Sequence, residues 1–295
     1  MNEKRFRPQF NQMDTTEKRV LMENLAGRYA MTFLGLHTFD RWGQSCTTGI
    51  FEKDGREFVF VPGDTVTLGW ERFAVGLNQD SREELDYLFQ EWEMECDSEE
   101  MIRESMAPVR QAAIGPMLVG RELEELCWEP VKMDDPRLTA RPDWLKKFRD
   151  FAWSDLDSLT LHQSARIERT EKGFQIWIYN RTDYGALLDQ LEKQGLSLPT
   201  ADEWAYLCGG GCRTLFPWGD GMDYSMHLHH FERPEDEDKP FDMEEPNFFG
   251  LSVAYDLYAG GGESQRVYHL RRRWRAQHLR RTGNLSRLPA LFAAL

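Results

Sequence analysis

No apolar run in this chain approaches the roughly 18 residues that a membrane-spanning helix requires. The opening residues, Met-Asn-Glu-Lys-Arg-Phe-Arg-Pro, lack the apolar centre of a signal peptide. The expectation is a soluble, cytoplasmic protein that makes no use of a membrane. Cysteine is scarce: five residues, an odd number, scattered over 295 positions. That pattern argues against a disulfide framework. No Asp-x-Asp-x-Asp-Gly run is present, so the standard loop for calcium is missing. Gly209-Gly210-Gly211 is followed by no Lys-Ser/Thr pair and comes after a helix, so it is no phosphate loop. No internal repeat is evident.

Basic residues are also few, and they are unevenly placed. The formal charge is −14. From Ser264 to Leu295 there are eight arginines and no acid, which leaves 28 bases against 50 acids elsewhere. Such an acidic body argues against nucleic-acid binding through the main domain. A solubilising surface is the commoner meaning of this much charge. Hydrophobic residues at 41% and aromatics at 13% suit a globular chain. The length allows one large domain or two.

Residues 14 to 36 read as a helix, with Asp14 and Glu17 as its capping box and Val20, Leu21 and Leu25 as its apolar face. Ile50-Phe51 and Phe58 to Leu68 read as strands around the hairpin signal Asp54-Gly55. Ser81 and Glu84 would cap a helix from Arg82 to Trp92, striped by Leu85, Leu88, Phe89 and Trp92. Residues 80 to 104 hold eleven acids and two bases, read as an acidic helical pair. Ala165 to Glu168 and Phe174 to Tyr179 read as a hairpin. Thr182 would then cap a helix that faces Leu187, Leu188 and Leu191 inward. Residues 232 to 245 contain eight acids and read as an exposed loop.

The most informative stretch is Leu196 to Gly219. Thr200 and Glu203 make a capping box, Pro199 precedes it, and Trp204 and Leu207 share one face. Three glycines stop the helix, and Phe216-Pro217-Trp218-Gly219 makes a stiff aromatic turn. The order Leu-Pro-Thr, Glu-Trp, glycine stop, Pro-Trp-Gly resembles the formylglycine-generating enzyme, or sulfatase-modifying factor, family. Glu245-Pro246-Asn247-Phe248-Phe249-Gly250-Leu251 is similar to that family's Pro-Asn-x-Phe-Gly-Leu turn, and Phe58 to Gly69 resembles its opening hairpin. The resemblance implies an α+β, C-type-lectin-like fold. It gives an N-terminal helical extension over 1–39 and a domain over 40–265, with 80–150 as a divergent helical insert. A basic tail follows over 266–295. The family's Thr-Asn-x-x-Tyr-x-x-Phe motif is absent from that insert.

Several side chains are candidates for chemistry. Cys208 and Cys212 flank the glycines and read as a metal or redox pair, or as small buried hydrophobes. His227, His229 and His230, with Asp220 and Asp223 nearby, offer imidazole and carboxylate to a divalent metal, against the plainer reading of a polar loop. Family members hold calcium through carboxylates and carbonyls, so calcium is the metal the resemblance implies. Trp70, Trp204 and Trp218 read as core more than as a ligand groove. The resemblance places copper-binding catalytic cysteines near the C-terminus, and this chain has none there.

The family's closing Gly-Asn-Val-Trp-Glu-Trp and Arg-Gly-Gly-Ser are also absent. From Tyr268 on, no helical or strand period buries an apolar face. The tail reads as a nucleic-acid-binding arm or as translation out of frame, since Leu-Arg-Arg at 270–272 and 279–281 shifts by one base to Cys-Gly-Gly with GC-rich codons. The gene's nucleotide sequence from codon 255 onward decides between them. The functional expectation is a non-catalytic binding or scaffold protein for a protein or small ligand. The alternative is an oxidoreductase of the formylglycine-generating type.

Overall fold

The computed structural model describes residues 3–93, 95–123, 127–170, 173–221, 223, 225–227, 239–253 and 292–294. The chain begins with two short helices, α1 (Arg7–Gln12) and α2 (Thr15–Tyr29). The capping box of α2 forms as expected: Glu17 N donates to Asp14 Oδ1 at 2.8 Å and Asp14 N donates to Glu17 Oε2 at 3.3 Å. The helix is shorter than the 14–36 span. Ala30 takes a left-handed conformation at φ 51° and stops it, and Thr32 opens a strand. Its apolar face also differs, since Met22 and Leu25 are buried and Val20 is half exposed.

Four strands follow: β1 (Thr32–Arg41), β2 (Gln44–Lys53), β3 (Arg56–Val61) and β4 (Asp64–Leu68). Asp54 and Gly55, at φ 54° and 76°, form the two-residue turn between β2 and β3. Paired positive φ values match the right-handed twist of a hairpin. The expected single strand from Phe58 to Leu68 is broken at Pro62-Gly63, because proline has no N–H for the ladder. The helices α3 (Gln79–Glu91) and α4 (Ser98–Ser105) form the acidic pair. Asn78, not Ser81, caps α3, accepting from Ser81 N at 2.8 Å.

The insert is not helical throughout. It carries β5 (Arg110–Ile114), β6 (Met117–Gly120) and β7 (Trp128–Val131), then α5 (Pro136–Thr139) and α6 (Pro142–Ala152). A short apolar run such as Met117-Leu118-Val119 carries no period that separates strand from helix. Three strands and a helix come next: β8 (Ser158–Leu161), β9 (Ala165–Thr170), β10 (Gly173–Tyr179) and α7 (Tyr184–Lys193). Asp183 takes the capping role expected of Thr182, and Leu188 is exposed while Leu187 and Leu191 are buried. The described chain closes with α8 (Ala201–Gly209) and β11 (Phe292–Ala294).

The protein is mixed α+β, with antiparallel sheets. Two units divide it, in place of a single domain from residue 40. The first draws on Met1–Leu123 and the described residues from Gln194 on. It holds a five-stranded sheet in the order β1-β2-β3-β6-β11 and the β4-β5 pair. Phe10, Met22 and Leu25 belong to its core, so residues 1–39 are integral to it and form no extension. The N-terminal segment is hooked onto the Pro62-Gly63 break, with Arg7 N donating to Gly63 O at 2.7 Å.

The second unit draws on Glu124–Lys193 and holds the sheet β7-β10-β9-β8. Leu138, Phe148, Phe151, Ala165, Ile167, Ile176 and Ile178 form its core. The alternation expected on β10 is present, with Ile176 and Ile178 buried between half-buried neighbours. Of the 266–295 tail, only Phe292–Ala294 lies within the described residues. There it pairs antiparallel with β6, a role in the sheet that the frame-change reading does not foresee.

In the first unit, Gly250 sits at φ 82°, and a Cβ there would stand 2.5 Å from the Phe39 ring. Gly250→Ala therefore combines backbone strain with overpacking. A loss of about 2 kcal/mol or more is expected in urea unfolding.

Candidate functional site

The candidate site is the loop face at the C-terminal end of α8. The capping box of that helix is present, with Thr200 N donating to Glu203 Oε2 at 2.7 Å and Glu203 N to Thr200 Oγ1 at 3.3 Å. Gly210 ends it at φ 60°. The last carbonyls of a helix lack intrahelical donors. Here side chains from far upstream supply them: Gln44 Nε2 donates to Gly209 O at 3.1 Å and Arg7 Nη1 to Gly210 O at 3.0 Å. Arg7 Nη2 also donates to Gln44 Oε1 at 2.9 Å. A cation at a helix C-terminus meets the negative end of its dipole.

The second motif packs directly on this helix. Asn247 is fully buried and its Nδ2 donates to Leu207 O at 2.7 Å. Its Oδ1 accepts from Phe249 N at 2.9 Å and Leu251 N at 3.2 Å. The rings of Tyr206 and Phe249 lie 5.2 Å apart, and Tyr206 Oη donates to Pro62 O at 2.9 Å. Pro199 and Phe249 are buried, whereas Trp204 and Trp218 are only half-buried.

Beyond the glycines, the Phe216–Gly219 turn closes on itself. Phe216 N donates to Gly219 O at 2.8 Å and Gly219 N returns to Phe216 O at 3.2 Å. The Phe216 and Trp218 rings stack at 4.9 Å with planes 1° apart. Trp42, from the β1–β2 turn, leans on Trp218 at 5.7 Å, and the Arg41 guanidinium lies 5.0 Å over Trp42. Arg41 also pairs with Glu245 at 2.6 Å and with Asp242 at 3.2 Å. Asp220 is buried and anchors the loop: its Oδ2 accepts from Val75 N at 2.7 Å and Gly76 N at 3.0 Å, and its Oδ1 from Leu215 N at 2.9 Å.

The expected site residues separate. His227 is buried, stacks on Phe241 at 4.4 Å, and places Nδ1 3.1 Å from Pro240 O. Its backbone N–H donates to Asp242 Oδ2 at 2.7 Å, and its Nε2 is buried with no hydrogen-bond partner. Asp223 is exposed and its Oδ1 accepts from both Ser225 N and Ser225 Oγ. His229 and His230 lie outside the described residues. No group of three His, Cys, Asp or Glu side chains able to hold a metal ion occurs among the described residues. Of the proposed groove tryptophans, Trp70 is buried core and stacks edge-on against Phe73 at 5.3 Å.

Cys208 and Cys212 are both half-buried and free of disulfides. Burial pushes the Cys212 thiol up, against a smaller lowering by a hydrogen bond with Thr214. Burial likewise pushes Cys46 up to about 11, with Lys18 and Arg7 pulling the other way. Nucleophilic sulfur is thiolate, so neither is activated at neutral pH. Sequence reasoning missed Arg41 and Trp42, and took Asp220 for a metal carboxylate where the fold uses it to anchor the loop. Arg41 meets Asp242 and Glu245 only through tertiary folding, some 200 positions away, and no local pattern announces such a pair. Asp220 had a signal in its place directly after Pro-Trp-Gly.

An open pocket of about 160 Å³ adjoins this loop, lined by Phe73, Leu77, Leu85, Leu88, Ile102 and Phe216 among others. Comparison with protein-family models, curated proteins and solved structures gives no match.

The thiol environments set an order of reactivity. Iodoacetamide at neutral pH should alkylate the exposed Cys96 far faster than Cys46 and Cys212, as read by peptide mass mapping. With Cys46 raised to about 11, its thiolate fraction at pH 7 is only about 10⁻⁴. Labelling of Cys46 as fast as Cys96 would contradict this assignment.

Proposed function

We propose that this chain is a non-catalytic binding protein built on a C-type-lectin-like frame akin to the sulfatase-modifying factors, acting in the cytoplasm on a protein or small ligand. The observation that carries the reading is the interlock at Asn247. It joins the Leu-Pro-Thr helix to the Pro-Asn-Phe-Phe-Gly-Leu turn, two of the three segments on which the resemblance rests. Function stays a separate argument, because one frame hosts many activities.

Copper of the family's kind needs soft thiolate ligands converging on one metal. Cys46 and Cys212 are held as neutral thiols by burial and do not fit such a centre. Calcium would need several convergent oxygens, and Asp223 spends one of its oxygens on Ser225. What the loop face offers instead is a stacked aromatic turn with a guanidinium beside it. Such surfaces serve recognition, with large rigid contacts at low entropic cost.

The test is incubation with Cu(I), oxygen and a cysteine-containing sulfatase peptide, followed by mass spectrometry. The expected outcome is an unchanged peptide mass. Conversion of the peptide thiol to an aldehyde would overturn the reading in favour of an oxidoreductase.

A further inference from the structure

The helices α3 and α4 are amphipathic, yet they bury almost nothing. A surface helix ordinarily hides its apolar stripe against a core. On α3 the only buried residue is Ser81, and α4 has none. Ser81 is buried because α3 approaches the loop closely there: a Cβ on Gly221 would lie 2.8 Å from its Oγ. The stripe itself, Leu85, Leu88 and Phe89, stays half-buried, and Trp92 at its end is 64% exposed.

Leu85, Leu88 and Ile102 line the open pocket of about 160 Å³, with Phe73 and Phe216 facing them. An apolar cavity of about 150 Å³ takes a benzene ring. The pocket therefore has room for one large apolar side chain, such as phenylalanine. Around it acidic charge predominates. Asp80, Glu83, Glu84, Asp86, Glu91 and Asp97 are all exposed on or beside the pair. Eleven acids face two bases over residues 80–104. A nucleic acid or an anionic membrane would be repelled from such a rim, and a cationic segment would be drawn to it.

We propose that the α3–α4 face docks a cationic amphipathic segment of a partner protein, with one large apolar side chain seated in the pocket and lysines or arginines on the acidic rim. This is the helix-in-groove mode of recognition. The proposal rests on the binding reading above and names the partner chemistry. The copper assay reads thiol oxidation and the peptide titration reads binding, so either can fail alone.

The probe is a fluorescein-labelled amphipathic peptide of lysine and leucine with one central phenylalanine, titrated with the full chain and followed by anisotropy. Saturable binding is expected. Replacing the peptide phenylalanine by alanine should weaken it about tenfold or more. Raising ionic strength from about 0.1 M to about 1 M shortens the screening length from about 10 Å to about 3 Å and should weaken it further. Leu88→Asp should abolish binding. Trp92→Glu, at an exposed position that leaves folding intact, should weaken it several-fold. Absence of saturable binding would overturn the proposal, as would equal binding of a peptide with glutamate in place of lysine. Unchanged affinity in both variants would do the same. A concentration-dependent dimer in sedimentation that Leu88→Asp dissociates would assign the face to a second copy of the chain and also overturn it.

Discussion

A single buried amide holds the first unit's two motif segments together. Asn247 has no contact with solvent, so every polar atom it carries needs a partner inside the protein. Its Nδ2 goes to Leu207 O, in the last turn of α8, where carbonyls lack intrahelical donors. Its Oδ1 collects the amides of Phe249 and Leu251 and shapes the turn, and its own N–H donates to Leu251 O. With the turn set, Phe248, Phe249 and Leu251 enter the core beside Tyr206 and Leu207. Gly250 brings the backbone against Phe39, where no side chain fits.

The same place gathers the far ends of the unit. Arg7 and Gln44 reach the carbonyls of Gly209 and Gly210 from the opposite end of the sequence. Arg7 also lies over the Phe248 and Phe249 rings, at 5.9 and 5.6 Å. Lys18 is buried on the Phe10 ring at 4.4 Å and donates to Thr47 O at 3.0 Å. Arg7 and Gln44 thereby tie down the glycine stop. The aromatic turn and the Asp220 clamp follow it in the chain. A loop face held this firmly presents fixed rings, which lowers the ordering cost of binding.

Sequence and structure agree where the signal is local. Both capping boxes, the Asp54-Gly55 turn and the alternation of β10 are set by neighbours within a few positions. The two motif segments also meet, through Asn247 Nδ2 and Leu207 O. What escaped was long-range or brief. The strands β5, β6 and β7 are four or five residues long, too short for a period to declare itself. The separate core of 124–193 could not be read, because an apolar residue does not say which unit it serves. At the candidate site, the histidine and cysteine pairs were chosen by spacing along the chain. The fold uses Cys212 as a half-buried thiol and His227 as a stacked ring, while Arg41 and Asp220 gain their roles from partners that spacing does not reveal.

The most direct test of this account is the stability of Asn247→Ala in urea, followed by tryptophan fluorescence. The substitution strands Leu207 O and the amides of Phe249 and Leu251 in the core. Each buried group left unpaired costs about 1–3 kcal/mol. The account predicts a loss of about 3 kcal/mol or more, with the slope of the transition little changed. A variant within about 0.5 kcal/mol of the parent, as at a surface position, would contradict it.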